Sequence, residues 1–301
     1  MAVSNTFSEK ATKFLPILDE IYMMTSFTSI LEASGVVFTG TRKIKKPKIA
    51  MDGAGDYDRT HGYTDGAVSV EYGEYELEQD RSRRFRVDVL DDDESAFALF
   101  RSLTTEFVRT KEIPEIDAYR FSKIAALAGK TVSVDYAAGQ ALTAFDDAIQ
   151  YLTDAEVDLT NLTLFVSSEF ERLVKQDPNI QRRFDVNVNN EKIKRKISSL
   201  DDVPMIVVPK NRFYDSIQLM DGKTSGQIAG GYNPAPGAVG LNFILAPIRN
   251  LEAITKRNNT KIIAPEVNQQ ADAYDVLYRY FHDLIVDDNK RPSIYVSKRT
   301  S

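Results

Sequence analysis

The chain has 301 residues, 43% of them apolar and 27% charged, with a net charge of −6, no cysteine and two histidines. This is the composition of a soluble globular protein of one or two domains whose core needs no staples. It excludes disulfide frameworks, thiolate metal sites, cysteine nucleophiles and centres built on three histidines, and its sign argues against a surface that grips nucleic acid throughout.

No run of about eighteen apolar residues and no basic-then-apolar start occur, so a cytosolic product without a membrane span is expected. Up to about residue 35, Phe14, Leu15, Ile17, Leu18 and Ile21 sit at helical spacing and a Ser/Thr-rich run, Thr25 to Ser29, follows. That predicts an arm with a short helix.

Between Gly40 and Leu90 the texture turns to charged, alternating residues. Lys43 to Met51 and Ala67 to Asp80 read as partner strands, joined by a tip from Asp52 to Gly66 that carries Gly53, Gly55, Gly62 and Gly66. The first strand and its approach hold Arg42, Lys43, Lys45, Lys46 and Lys48; the second holds Glu71, Glu74, Glu76, Glu78 and Asp80. Opposite charges on paired strands attract by roughly 0.2–1 kcal/mol per pair. The apolar phase passes from Val68, Val70 and Tyr72 to Tyr75 and Leu77 with Gly73 at the shift, which predicts a bulge at Gly73. Strands of this length reach about 30 Å. A solvated ribbon is the plain reading; because lone hairpins are marginal in water, an arm laid over a neighbouring subunit is favoured, with those ten charged residues as candidate intersubunit contacts.

Phe85, Val87 and Val89 continue a strand. Asp91, Asp92, Asp93 and Glu94 then precede a helix bearing Phe97, Phe100, Leu103 and Phe107, where the carboxylates suit the macrodipole. Pro114 opens a second helical segment, with Ile116, Tyr119, Ile124 and Leu127, that Gly129 ends. The two segments are compatible with one long interrupted helix.

From Thr131 helix and strand alternate. Gln140 to Leu152 is amphipathic, Leu162 to Val166 is an apolar strand, and Ser168 caps a helix carrying Phe170 and Leu173. Met205 to Val208 and Leu241 to Ile248 are further strands, the latter leading to a helix around Leu251 to Lys256, and the whole predicts an α/β module over 131–264. Gly226 to Gly240 is a loop with five glycines and two prolines. Tyr274 to Val286, the turn residues Asp287 to Lys290, and Ser293 to Val296 read as a C-terminal hairpin.

No catalytic, cofactor-binding or metal-binding residue is nominated. Gly222-Lys223-Thr224 lacks the glycine a phosphate loop needs five residues earlier, where Ile217 stands, so it reads as a turn. The Asp91 to Glu94 block is explained by its place at a helix start, and the Arg42 to Lys48 cluster, beside an acidic strand, by pairing rather than nucleic-acid binding. His61, in the glycine-rich tip, and His282, in a terminal strand, share no motif.

Several strings carry a family resemblance. Tyr75 to Glu94, YELEQDRSRRFRVDVLDDDE, Pro114 to Ala125, PEIDAYRFSKIA, Asp202 to Tyr214, DVPMIVVPKNRFY, and Leu241 to Ile254 resemble stretches of tailed-bacteriophage major capsid proteins with the Hong-Kong-97-type fold. The resemblance runs from about Gly35 onward and also follows the order of elements. It implies an α+β chain: an N-terminal arm (1–35), an extended hairpin loop (36–90), a peripheral domain with a long spine helix (91–130 and 265–301) and an apical domain (131–264). It implies a structural, non-enzymatic subunit that forms pentamers and hexamers of an icosahedral shell around double-stranded DNA, located in the virion capsid and assembled in the host bacterial cytoplasm. The expected partners are other copies of the chain, a portal protein, an optional decoration protein and, since only about 35 residues precede the hairpin where the type member has a long scaffolding segment, a separate scaffolding protein. DNA is enclosed without specific binding and no membrane is involved; an acidic wall would let a packaged genome slide. The alternatives are an encapsulin-type compartment shell, which needs a cargo-peptide groove, and, from another class, a carboxylate-dependent hydrolase.

Overall fold

A computed structural model describes residues 22, 25–34, 36–60, 62–88, 103–178, 199–257 and 261–300. The arm helix expected before residue 22, the Asp91 to Glu94 block and His61 lie outside the described residues. Strands β1 (Lys43–Met51) and β2 (Val68–Glu76) form the long hairpin, antiparallel from Lys43 opposite Glu76 to Met51 opposite Val68. The register is unbroken, so the expected bulge at Gly73 is absent; Gly73 stands opposite Lys46. The shift in apolar phase has another cause. Near the root, Ile44, Tyr75 and Leu77 turn to the protein core beside Phe281, whereas farther out Val68, Val70 and Tyr72 lie on the opposite face. Gly73 leaves the space that the Tyr75 ring takes, since a Cβ there would sit 3.2 Å from Tyr75 Cε2.

The chain continues from β2 into β3 (Gln79–Asp88). Residues 103–107 are helical and run through a π-helical turn, Val108–Glu112, into α1 (Ile113–Ala126), so the two predicted segments are one helix over the described stretch. Pro114 falls inside this continuous helix, directly after the π-helical turn, where the hydrogen-bond ladder changes register and a missing N–H is accommodated. After α1 come β4 (Lys130–Ser133), α2 (Ala141–Asp154), β5 (Leu162–Ser167) and α3 (Ser168–Gln176). The cap of α3 is Ser167 rather than Ser168: its side chain accepts from the Phe170 N–H, 3.1 Å away.

Strands β6 (Ser199–Leu200), β7 (Val203–Val208), β8 (Ile217–Leu219), β9 (Tyr232–Pro234) and β10 (Leu241–Pro247) follow, with β8 and β9 paired inside the glycine-rich loop region. The segment expected to be helical around Leu251 to Lys256 is instead β11 (Glu252–Arg257). It is too short to hold a helix by itself, and pairing with the strand across from it decides its state. Then come β12 (Lys261–Ile263), β13 (Ala273–Ile285) and β14 (Tyr295–Lys298).

Two sheets organise these strands. One has the order β4-β14-β10-β5-β7-β6; in the other β13 is central, pairing with β11 and β12 and, over ten residues, with β3. The expected C-terminal hairpin is therefore absent: β13 and β14 belong to different sheets, joined by the 3-10 turn Asp288–Ser293. The boundary expected at 264 is crossed by strand pairing in both directions, because β14 joins the six-stranded sheet while β11 and β12 pair with β13.

The core explains the sequence texture. Strands β5 and β10 are buried along their whole length because both sheet faces are covered, and they read as continuous apolar runs for that reason. Phe145, Phe170 and Val174 of α2 and α3 pack on one face with Leu164, Phe243 and Leu245. On the other face Phe121 and Ile124 of α1 meet Phe165, Ile244 and Val296. The start of the same helix packs Ile113 and Ile116 on Tyr278 and Tyr280 of β13, so α1 is the common spine of both sheets.

Candidate intersubunit surface

The hairpin's backbone geometry follows from two hydrogen bonds. The Leu77 N–H donates to the Arg42 carbonyl (2.9 Å) and the Asp52 N–H to the Ala67 carbonyl (3.2 Å). Odd-numbered residues of β2 thus turn their backbone groups toward β1, and Val68, Val70, Tyr72, Glu74 and Glu76 turn theirs outward. Directly opposite residues share a face. Pro47 with Tyr72, Ile49 with Val70 and Met51 with Val68 therefore form one apolar stripe along the outer part of the hairpin. In the ladder Lys48 stands opposite Glu71 and Ala50 opposite Ser69.

This stripe is uncovered. Ile49, Met51, Val68, Val70 and Tyr72 are 60%, 72%, 66%, 54% and 68% exposed. At the tip, Tyr57 and Tyr63 meet edge to face with ring centroids 5.1 Å apart, and both face solvent. Contiguous exposed apolar surface of this kind marks a contact site rather than ordinary scatter. The sequence signal was present, as V-x-V-x-Y on one strand and I-x-M on the other, but only the register puts the two sets on one face.

The ten charged residues divide by position. Lys45 Nζ pairs with Glu74 Oε1 at 2.9 Å and Arg42 Nη2 with Glu76 Oε1 at 2.9 Å, as cross-strand attraction predicts. Lys43 stands opposite Glu76 and Lys48 opposite Glu71 in the ladder. Lys46, facing Gly73, reaches instead to Glu252 Oε2 at 2.5 Å and Asp287 Oδ1 at 3.7 Å. Glu78 accepts from Lys123 Nζ at 3.1 Å, and Asp80 takes both ends of the Arg279 guanidinium at 2.8 and 2.6 Å. Lys46, Glu78 and Asp80 thus tie the hairpin root to its own subunit. Hydrogen bonding from Arg279 holds the Asp80 carboxyl below its usual range, and hydrogen bonding from Lys45 does the same for Glu74. Partial burial pushes Glu78 up, but the Lys123 ammonium outweighs it and the net direction is down.

Beneath the root lies a buried polar network that the sequence reading did not nominate. Arg120 of α1, fully buried, donates to Tyr22 Oη (2.5 Å), Thr28 Oγ1 (3.0 Å), Glu32 Oε1 (2.6 Å) and Thr255 Oγ1 (2.7 Å). One turn earlier Asp117 accepts from Thr28 Oγ1 (2.6 Å), Ser26 Oγ (2.7 Å) and Arg212 Nη1 (3.2 Å). Glu112 accepts from Tyr278 Oη (2.6 Å) and Arg257 Nη2 (2.8 Å), and Glu115 from Arg81 Nε (2.6 Å) and Tyr280 Oη (3.2 Å). Their carboxylates and guanidinium ends are hydrogen-bonded to one another, as buried ions must be, while the Nε atoms of Arg120 and Arg212 find no partner among the described residues. These bonds lock Tyr22, the segment from Ser26 to Glu32, the helix, and the strands β3, β11 and β13 into one body that carries the hairpin.

Among the described residues, the other sequence candidates, Gly222-Lys223-Thr224 and His282, sit in structural settings. Gly222-Lys223-Thr224 is a turn organised by Asp221, whose carboxylate accepts from the Lys223 and Thr224 N–H groups (2.8 and 2.9 Å) and from Thr224 Oγ1 (2.5 Å). Those bonds pull its pKa down to about 2. His282 sits toward the C-terminal end of β13, fully buried between Tyr280, stacked at 5.8 Å, and Tyr119, edge-on at 5.0 Å. Neither ring nitrogen has a hydrogen-bond partner among the described residues. Burial drives its pKa well down, with Arg120, Arg81, Lys123 and Arg257 adding repulsion.

No family model and no curated protein sequence matches the chain. Solved structures do. The asymmetric unit of the bacteriophage PhiM1 mature capsid is 13% identical with a TM-score of 0.62, covering 92% of this chain and 87% of that one. The capsid of an empty GTA particle is 13% identical with a TM-score of 0.59 over 92% and 90%. A virus-like particle from Pyrococcus furiosus is 12% identical with a TM-score of 0.52 over 95% and 98%. The likeness covers most of the chain, and this chain has the Hong-Kong-97-type fold of phage capsid subunits.

Proposed function

We propose that the chain is a major capsid protein: a structural, non-enzymatic subunit that joins copies of itself into pentamers and hexamers of an icosahedral shell enclosing phage double-stranded DNA. The observation that carries this reading is the hairpin's exposed apolar stripe on a chain with a capsid-subunit fold. A projecting arm with one greasy face has no use on an isolated subunit, and repeated contact with rotation closes into rings and shells. In this reading the arm (1–35), the hairpin (36–90), a peripheral domain around α1 and β13, and an apical domain around the six-stranded sheet are the working parts. The ten charged residues act chiefly in fixing the hairpin, while the stripe beside them makes the contact. A separate scaffolding protein, a portal protein and an optional decoration protein are the proposed partners, with assembly in the host bacterial cytoplasm and the virion as destination.

Negative-stain electron microscopy with size-exclusion chromatography tests this, on the protein alone and co-expressed with its neighbouring genes. Closed shells or capsomer rings are expected, and packaged DNA rather than cargo protein separates a virion from an encapsulin-type compartment. A compact monomer in every condition overturns the reading.

A further inference from the structure

The two edges of the hairpin differ. On β1 the outward residues are Lys43, Lys45, Pro47, Ile49 and Met51, so the middle of that edge lacks an N–H and lysines stand on its root side. Proline and lysine are what guard a strand edge against pairing. The edge of β2 has neither: Val68, Val70, Tyr72, Glu74 and Glu76 all present an N–H and a carbonyl, and the hairpin is a two-stranded sheet in which no strand among the described residues pairs with that edge. All five residues are exposed.

We infer that this open edge is where two copies of the chain join, β2 pairing antiparallel with β2 of a second copy about a two-fold axis at Tyr72, so that two hairpins become one four-stranded sheet. The inference rests on the shell reading above and names one of its contacts. Tyr72 is the midpoint of Val68–Glu76, so this register alone uses the whole strand. It sets Val68 against the partner's Glu76, Val70 against the partner's Glu74, and Tyr72 against the partner's Tyr72. All are outward residues, giving roughly ten backbone hydrogen bonds.

The charges select the same register. Glu71 faces the partner's Gly73, Glu74 the partner's Val70, and Glu76 the partner's Val68, so no carboxylate stands directly opposite another. Centring the pair on Glu71 or on Glu74 instead sets a glutamate against its own copy, and every other register shortens the overlap. Glu74 and Glu76 are already neutralised within their own hairpin by Lys45 and Arg42, so the approach of a second acidic strand is not opposed by bare charge. Such an isologous contact is self-complementary, as a two-fold requires.

The absence of cysteine from the chain makes the test clean. Residues opposed in a hydrogen-bonded pair have Cα atoms about 5.5 Å apart, inside the range a disulfide spans. Particles assembled from full-length Tyr72→Cys protein are treated with a mild oxidant and run on a non-reducing gel. A covalent dimer band is expected. Val68→Cys/Glu76→Cys chains are expected to link as well, whereas Val68→Cys alone stays single. Particles in which both Tyr72→Cys and Val68→Cys/Glu76→Cys chains run as single chains overturn the two-fold pairing and leave the shell reading standing. If the wild-type protein forms no particles under any condition, the shell reading fails, and this inference with it.

Discussion

Gly129 lies directly against Pro292: a Cβ built on Gly129 would stand 2.5 Å from the Pro292 Cα and 2.6 Å from the Arg291 carbonyl oxygen. The Gly129 N–H donates to that same carbonyl at 2.9 Å. This contact joins the end of the spine helix to the turn by which the chain leaves β13 for β14, and therefore sets how one sheet sits on the other. The neighbouring atoms are backbone and cannot swing aside. Gly129→Ala is expected to destabilise the subunit by roughly 1–3 kcal/mol, the usual cost of overpacking, seen as a lower unfolding midpoint in calorimetry. An unchanged midpoint would show that the turn gives way freely.

Removing Arg120 leaves Glu32 short of its buried cation and strips a hydrogen bond from Tyr22, Thr28 and Thr255. Arg120→Met is expected to cost about 3–5 kcal/mol, read from urea unfolding of the subunit. Lys45→Ala, at a half-exposed pair, is expected to cost no more than about 1 kcal/mol. Equal losses in the two variants would contradict the division between root network and hairpin surface.

His282 links stability to pH, and the direction follows from its burial. Its folded pKa lies well below the ordinary value of 6.5, so between those two values the unfolded chain binds a proton that the folded one refuses. Stability from this residue is intact above pH 6.5 and is lost as pH falls below it, by at most about 1.4 kcal/mol per unit. His282→Phe keeps a ring between Tyr119 and Tyr280 and removes the titration. Comparison of urea midpoints at stepped pH from 7.5 to about 5 is expected to show the wild type losing ground to the variant. Parallel curves would rule the linkage out.

Charging the apolar stripe separates contact from folding. Ile49→Lys/Val70→Glu puts two attracting charges at opposed exposed positions and is expected to leave the subunit's unfolding free energy within about 0.5 kcal/mol of wild type while particle yield in electron micrographs collapses. A normal yield would mean that the stripe is not a contact surface.

Much of this was legible in the chain itself. Strand alternation and the glycine-rich tip announced the hairpin, and the apolar runs at Leu162 and Leu241 two strands of the α/β module, because each of these is written in local spacing; Pro114, read as opening a helical segment, lies inside one that is already under way at residue 103. That a basic strand would lie beside an acidic one was legible too, without the individual partners, of which Lys45 with Glu74 is one. Four features waited for the tertiary structure. The strand at Glu252–Arg257 depends on β13 lying beside it, and the separation of β13 from β14 depends on which sheet each finds, neither of which periodicity encodes. The network around Arg120 joins residues as far apart as Tyr22 and Thr255, and a buried arginine looks like any other until its partners are in place. The apolar stripe required two strands to be brought into one register before alternate residues on each became a single face. Sequence determined which segments are stiff, extended or buried through interactions a few residues long; contacts across tens to hundreds of residues decided how those segments meet, and it is at such contacts that the surface offered to other copies is made.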